Sequence, residues 1–95
     1  MELKDTIAGM QSADYKERFV AEYEQLTIRF GKLSVMCQKW DAGELNFTPM
    51  CPRELYTKQL EHMQGYLDIL AERAEIEGVE LPDTGLFGVV AGAVE

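Results

Sequence analysis

The sequence predicts an all-α chain: an antiparallel two-helix hairpin with a short N-terminal helix and an apolar C-terminal tail. Three observations carry that prediction. Two long segments repeat apolar residues at alternating intervals of four and three, the spacing of a helical seam. A glycine- and proline-bearing break, DAGELNFTPMCP, separates them. One antiparallel register then satisfies both stripes together.

Residues 2 to 10 place Leu3, Ile7 and Met10 at helical spacing, which predicts a short amphipathic helix ending near Gly9. Asp14 with Glu17 three residues later reads as a capping box, so the first long helix is expected over about 14–40. Pro52 at a first-turn position and Glu54 just inside it predict a second long helix over about 52–77. Gly78 is placed to close that helix in a left-handed conformation. The remainder, 78–95, is a loop followed by the uncharged, glycine-rich run GLFGVVAGAV, read as an arm that docks on a neighbouring chain, as a disordered end or as a membrane-peripheral segment. The whole of 1–95 is expected to form a single helical-hairpin domain.

The seam residues are Phe19, Tyr23, Leu26, Phe30, Leu33, Cys37 and Trp40 in the first helix. In the second they are Tyr56, Leu60, Met63, Leu67, Leu70 and Ala74. Folding at the break pairs Phe19 with Ala74, Tyr23 with Leu70, Leu26 with Leu67 and Phe30 with Met63. The same register carries on to Leu33 with Leu60 and Cys37 with Tyr56. Ile28 and Val35 lie almost opposite this seam, and Val20, Thr27, Gly31 and Ser34 form a small, smooth face beside it. Leu55, Tyr66, Ile69 and Ile76 fall outside the seam of the second helix. Gly31 and Gly65 come at nearly the same level, as close approach of another helix or a flat interchain ligand would require. Two helices do not bury all this surface, so a homo-oligomer is expected.

Ninety-five residues with a net charge of −8 make one small, acidic domain. Such a charge argues against DNA or RNA as partner, since phosphate neutralisation needs clustered Lys and Arg. No signal peptide and no membrane-spanning run is legible, so the expectation is a cytoplasmic protein with reduced thiols. Cys37 and Cys51 form no metal-ligand motif, and the lone His62 has no acid in a supporting position. No nucleophile motif or phosphate loop occurs. The chain is therefore read as a non-enzyme with no cofactor and no metal site.

Charge is distributed unevenly. From Gln25 to Trp40 there are three bases and no acid, whereas from Gln59 onward eight acids face the single Arg73. Arg18, Gln25, Arg29, Lys32, Met36 and Lys39 share one flank of the first helix. The register brings Arg53 near Trp40, with Lys58 on the next turn. Cations beside Trp40, Phe47 and Tyr56 suit an anionic aromatic ligand such as a nucleotide. The competing reading is a solvated charged face, with Arg18 near Glu22 and Arg53 near Glu54 and Asp41.

DYKERFVAEYEQL..RF.KL followed by EL...QL..M..YLDIL.ER, over about residues 14 to 77, resembles a family of small phage and prophage helical-hairpin proteins related to crAss-like phages. More distantly, the two-helix plan is similar to phage anti-CBASS and anti-Thoeris sponge proteins. The resemblance implies a homo-oligomer in the bacterial cytoplasm that holds a cyclic nucleotide or cyclic ADP-ribose immune signal between subunits. The tyrosine–arginine pair and tryptophan–leucine motif of that group have no counterpart here, so none of its pocket residues is carried over. From the residues themselves, the candidate phosphate ligands are Arg18, Arg29, Lys32 and Lys39, with Arg53 and Lys58 beside them. Tyr15, Trp40 and Tyr56 are the candidate stacking groups. The alternative is a homo-oligomeric interaction protein that binds a host or phage protein through its helix faces and takes no small ligand.

Overall fold

The computed structural model describes residues 1–82, and among these all regular structure is helical. A 3₁₀ turn, Leu3–Thr6, runs directly into α1, Ile7–Met10; α2 spans Tyr15–Asp41 and α3 spans Arg53–Glu77. The two long helices pack as the expected antiparallel hairpin, with α1 laid along α2. The expected docking arm or disordered end over 83–95 lies outside the described residues.

Each terminus has a local cause. The Asp14 side chain accepts the Lys16 amide at 3.0 Å and starts α2. The reciprocal half of the predicted capping box does not form, because Glu17 instead accepts from the Ser12 hydroxyl, which in turn accepts the Asp14 amide. At the far end Gly43 takes φ 75°, a left-handed value that relieves the last carbonyls and turns the chain out of α2. Pro52 sits immediately before α3, contributing its fixed φ of −62°. Gly78 closes α3 at φ 72°, as its position predicts.

The core gathers Phe19, Tyr23, Leu26 and Phe30 from α2 against Leu67, Leu70 and Ala74 from α3, and Val79 folds back onto it. Leu67 is completely shielded. Toward the link the seam loosens: Leu33, Tyr56, Leu60 and Met63 are only half-buried. Bridges at several levels fit the one register. Tyr15 donates to Glu77 at 2.9 Å, the Arg73 guanidinium lies 4.9 Å from the Phe19 ring centre, and Tyr66 donates to Glu22.

The N-terminal segment departs from its predicted orientation. Ile7 and Met10 are exposed, and the segment packs through Thr6 and Gly9 instead. Thr6 receives a hydrogen bond from Gln25 at 3.2 Å, while a Cβ on Gly9 would approach that of Ala21 to 3.0 Å. Small residues win here because they let two backbones approach closely, which a stripe of Leu, Ile and Met prevents. Ala21, Gln25 and Lys32, which meet Gly9, Thr6 and Glu2 in turn, mark the covered face of α2, and Ile28 on that same face is buried. Part of the surface left bare by a hairpin alone is thus covered within the chain. Gly31 and Gly65 do not share a face: Gly31 is buried, whereas a Cβ on Gly65 would meet nothing within 4 Å.

Truncation at the shielded seam and relief of an open glycine should act in opposite directions. Leu67→Ala is expected to lower the unfolding free energy by about 2–5 kcal/mol. Gly65→Ala should raise it by about 0.5–1 kcal/mol. Urea unfolding followed by circular dichroism measures both.

Candidate functional site

The basic flank of α2 and the link after it form a cleft. Lys32, Val35, Met36 and Lys39 supply one wall, one turn apart along the helix, and Glu44, Leu45, Asn46 and Phe47 supply the other. Its volume is about 290 Å³. The link is held in place by its own backbone, with Gly43 N–H donating to Trp40 and Glu44 N–H donating to Lys39 at 2.8 Å. Phe47, largely exposed, lines the same cleft as Lys32 and Lys39, and Met36 adds a polarizable apolar side chain to the lining. Such a cleft can neutralise an anion with Lys32 and Lys39 and stack a flat group on Phe47. Glu44 places one acid within it.

The structure divides the candidate residues among three places. Lys32 and Lys39 meet in the cleft. Lys32 also lies 3.5 Å from Glu2, an exposed pair that holds it only weakly. Arg29 stands exposed one turn before Lys32 on the same flank. Among the described residues no side-chain hydrogen bond or ion pair engages Arg29, Lys39 or Lys58.

Trp40, Arg53 and Tyr56 form a second group across the mouth of the hairpin. The Trp40 and Tyr56 rings meet edge-on at 5.7 Å, and the Arg53 guanidinium lies 6.0 Å from the Trp40 ring. That guanidinium is already engaged: it donates to both Asp41 oxygens at 3.0 and 3.1 Å and to Thr57 at 2.7 Å. The pairing holds the Asp41 carboxyl below its ordinary range. Arg53 here locks the helix ends together, as the solvated-face reading anticipates through Asp41. Burial, followed by Cys51, pushes the Tyr56 hydroxyl upward. Lys58 is exposed one turn further along α3.

Tyr15 and Arg18 stand at the opposite end of α2. Lys39 lies 24 residues beyond Tyr15, which is about 36 Å along a helix. Tyr15 donates to Glu77, and Arg18 donates to the Ser12 carbonyl at 2.8 Å, not to Glu22. One chain therefore does not join the two ends into a single site. What sequence reasoning omitted is the link itself, Glu44, Leu45 and Asn46, whose placement depends on the turn at Gly43. Phe47 was legible as an aromatic beside the cations.

A second cavity of about 410 Å³ lies between the N-terminal segment, the start of α2 and Val79. Its lining carries Asp5, Glu17, Glu24 and Glu80 against Lys16, a balance that repels anions. Burial holds the Glu24 carboxyl above its ordinary value. Among the described residues no cluster of three His, Cys, Asp or Glu side chains gathers as a metal site would require. Both cysteines are free, Cys37 within the seam and Cys51 at the surface. No helix of the described residues is long and apolar enough to cross a membrane.

The hairpin with its basic cleft is the part of the chain that the comparisons address. A family model, Sequestin, matches residues 13–76, from the residue before the α2 cap almost to the end of α3. The chain belongs to the Sequestin family. Sequestins are phage proteins that sequester signalling molecules, so membership implies a binding role without turnover. No curated protein and no solved structure gives a significant match to this sequestin. The match spans α2 and nearly all of α3 and leaves out the 3₁₀ turn and α1.

The tyrosine clamps give a pH signature. Hydrogen bonding to Glu77 raises the Tyr15 hydroxyl above its ordinary value of 10.0, and bonding to Glu22 does the same for Tyr66. A phenol raised in the folded state contributes stability that is fully present below 10.0 and lost as pH climbs through the raised value. Arg73, then Tyr15, lowers Glu77 below 4.5, so its contribution is present above 4.5 and lost as pH falls through the lowered value. A phenolate absorbance titration should show three tyrosines, Tyr15, Tyr56 and Tyr66, ionising late. Tyr66→Phe should remove one of them.

Proposed function

We propose that this sequestin captures a nucleotide-derived immune signal, of the cyclic oligonucleotide or cyclic ADP-ribose type, and holds it between subunits without catalysis. Family membership supports capture of a signal, and the cleft of Lys32, Lys39 and Phe47 is the observation that carries the nucleotide reading. In this reading Lys32 and Lys39 neutralise phosphate, Arg29 adds charge from the adjoining turn, and Phe47 stacks on a base. Arg18, Tyr15, Trp40, Arg53, Tyr56 and Lys58 lie outside the cleft, so any part they take belongs to a site completed by another subunit. A volume of about 290 Å³ is at the lower limit of small-molecule sites and fits one nucleotide unit better than a whole cyclic oligonucleotide. That mismatch favours completion by a second chain. An origin among crAss-like phages and action against CBASS or Thoeris immunity belong to the same reading.

Isothermal titration with cyclic dinucleotides, cyclic trinucleotides and cyclic ADP-ribose isomers tests it. Binding of one class is expected, weakened on the order of tenfold by Lys39→Ala, the loss of one charge-assisted contact. Phe47→Ala should weaken it through lost stacking. Absence of binding across the panel, with folded protein, overturns the nucleotide reading. Recovery of a stoichiometric host protein instead favours the alternative of a protein partner, for which the exposed acids of α3 are the supporting feature.

A further inference from the structure

The basic cleft contains one acid, Glu44, on the link wall across from Lys32 and Lys39. Its backbone is fixed, because the left-handed turn at Gly43 reverses the chain and the Glu44 N–H donates to the Lys39 carbonyl at 2.8 Å. Its side chain stays open. Among the described residues the carboxylate forms no ion pair with either lysine and accepts no hydrogen bond. The side-chain amide of Asn46, on the same wall, is likewise unengaged among them.

An unmatched carboxylate in an anion cleft has an electrostatic consequence. It repels a neighbouring phosphate, so for a ligand that is only an anion it opposes what Lys32 and Lys39 contribute. An ionised carboxylate can accept hydrogen bonds and cannot donate them. The ligands that gain from Glu44 are therefore anions that also carry donors, and two adjacent donors can engage both of its oxygens together. Two parts of a nucleotide present such a pair. One is the guanine edge, where a ring N–H adjoins the exocyclic amine. The other is a ribose whose vicinal hydroxyls are both free, a group that acidic side chains hold in dinucleotide sites. The matching edge of adenine sets an acceptor nitrogen beside its amine and turns a lone pair toward the carboxylate.

We infer that Glu44 sets the specificity of the cleft, selecting nucleotides that offer two adjacent hydrogen-bond donors beside a phosphate. The inference rests on the nucleotide reading of this same cleft. Lys32 and Lys39 hold the phosphate from the helix wall, Phe47 carries the flat ring, and Glu44 receives the donor pair from the link wall. Asn46 can donate or accept, so it serves the polar atom next to that pair. A site built to hydrogen-bond its ligand rejects the analogue that lacks the donors, because the polar group is then left unmatched. Glu44 is exposed, so its substitution leaves the core intact and separates binding from folding.

Calorimetry on the full chain tests this with two matched pairs of ligands. The 3′,5′-linked cyclic diguanylate and cyclic diadenylate differ in the guanine edge, and neither has a vicinal diol. Cyclic ADP-ribose and its 2′-deoxy analogue differ in one diol. The donor-bearing member of at least one pair is expected to bind roughly ten- to hundredfold more tightly, and the pair that discriminates identifies the donors. Glu44→Gln should erase that preference by weakening the donor-bearing ligand and not its counterpart, with circular dichroism unchanged. Equal binding within both pairs overturns the inference and leaves capture standing. So does a preference that survives Glu44→Gln, or a variant that gains affinity for all four ligands alike, which reduces Glu44 to a repelling charge. No binding by any of the four, or by the cyclic trinucleotides, overturns the nucleotide reading itself and the inference with it.

Discussion

The α2–α3 seam is the constraint on which the rest of the molecule depends. Isolated helices are marginal in water, and most helical stability in proteins comes from packing an apolar face. Phe19, Tyr23, Leu26 and Phe30 supply that face from α2, and Leu67, Leu70 and Ala74 from α3. Because the side chains interlock at a fixed register, groups far apart in sequence arrive opposite one another. Tyr15 reaches Glu77 and Arg53 reaches Asp41 only because the seam sets both ends. These polar clamps are exposed and add little net energy each. They follow from the register and leave the stabilisation to the core.

With the seam closed, the chain's charge becomes spatial. Acids concentrated in α3 and bases concentrated on one flank of α2 sit on separate outward edges of a thin hairpin. An acidic protein thereby presents a local basic surface, which is what an anionic ligand needs. The link after α2 turns that surface into a cleft by placing Phe47 and Leu45 opposite Lys32 and Lys39. Family membership as a sequestin supplies the class of event, capture of a signal, and the cleft supplies the chemistry that capture would use.

The long helices, their boundaries and their register were legible because they follow from local signals acting in concert. Asp14, Pro52 and Gly78 mark ends, and a strict alternation of intervals marks the seam. The basic flank was legible for the same reason, as residues on one helix share a face by geometry alone. Less of the site was legible. Sequence proximity and helical sectors placed Arg18, Tyr15, Arg53 and Tyr56 near the lysines, but distance along a straight helix separates the first two from the cleft. Asp41 withdraws Arg53 from it, the pairing that the solvated-face reading of the sequence names.

By itself, then, the sequence determined the all-α class, the hairpin and the side of α2 that carries positive charge. These are properties of periodicity and capping, which act over a few residues. Only the tertiary structure decided which face the N-terminal segment uses. Burial of Ile28 and the close approach of Gly9 to Ala21 outweighed the amphipathic stripe of Leu3, Ile7 and Met10, because backbone proximity rewards small residues over large ones. Only the tertiary structure, likewise, showed that the link completes the cleft. A turn at one glycine sends Phe47 back beside the lysines, and no periodicity within either helix encodes that return.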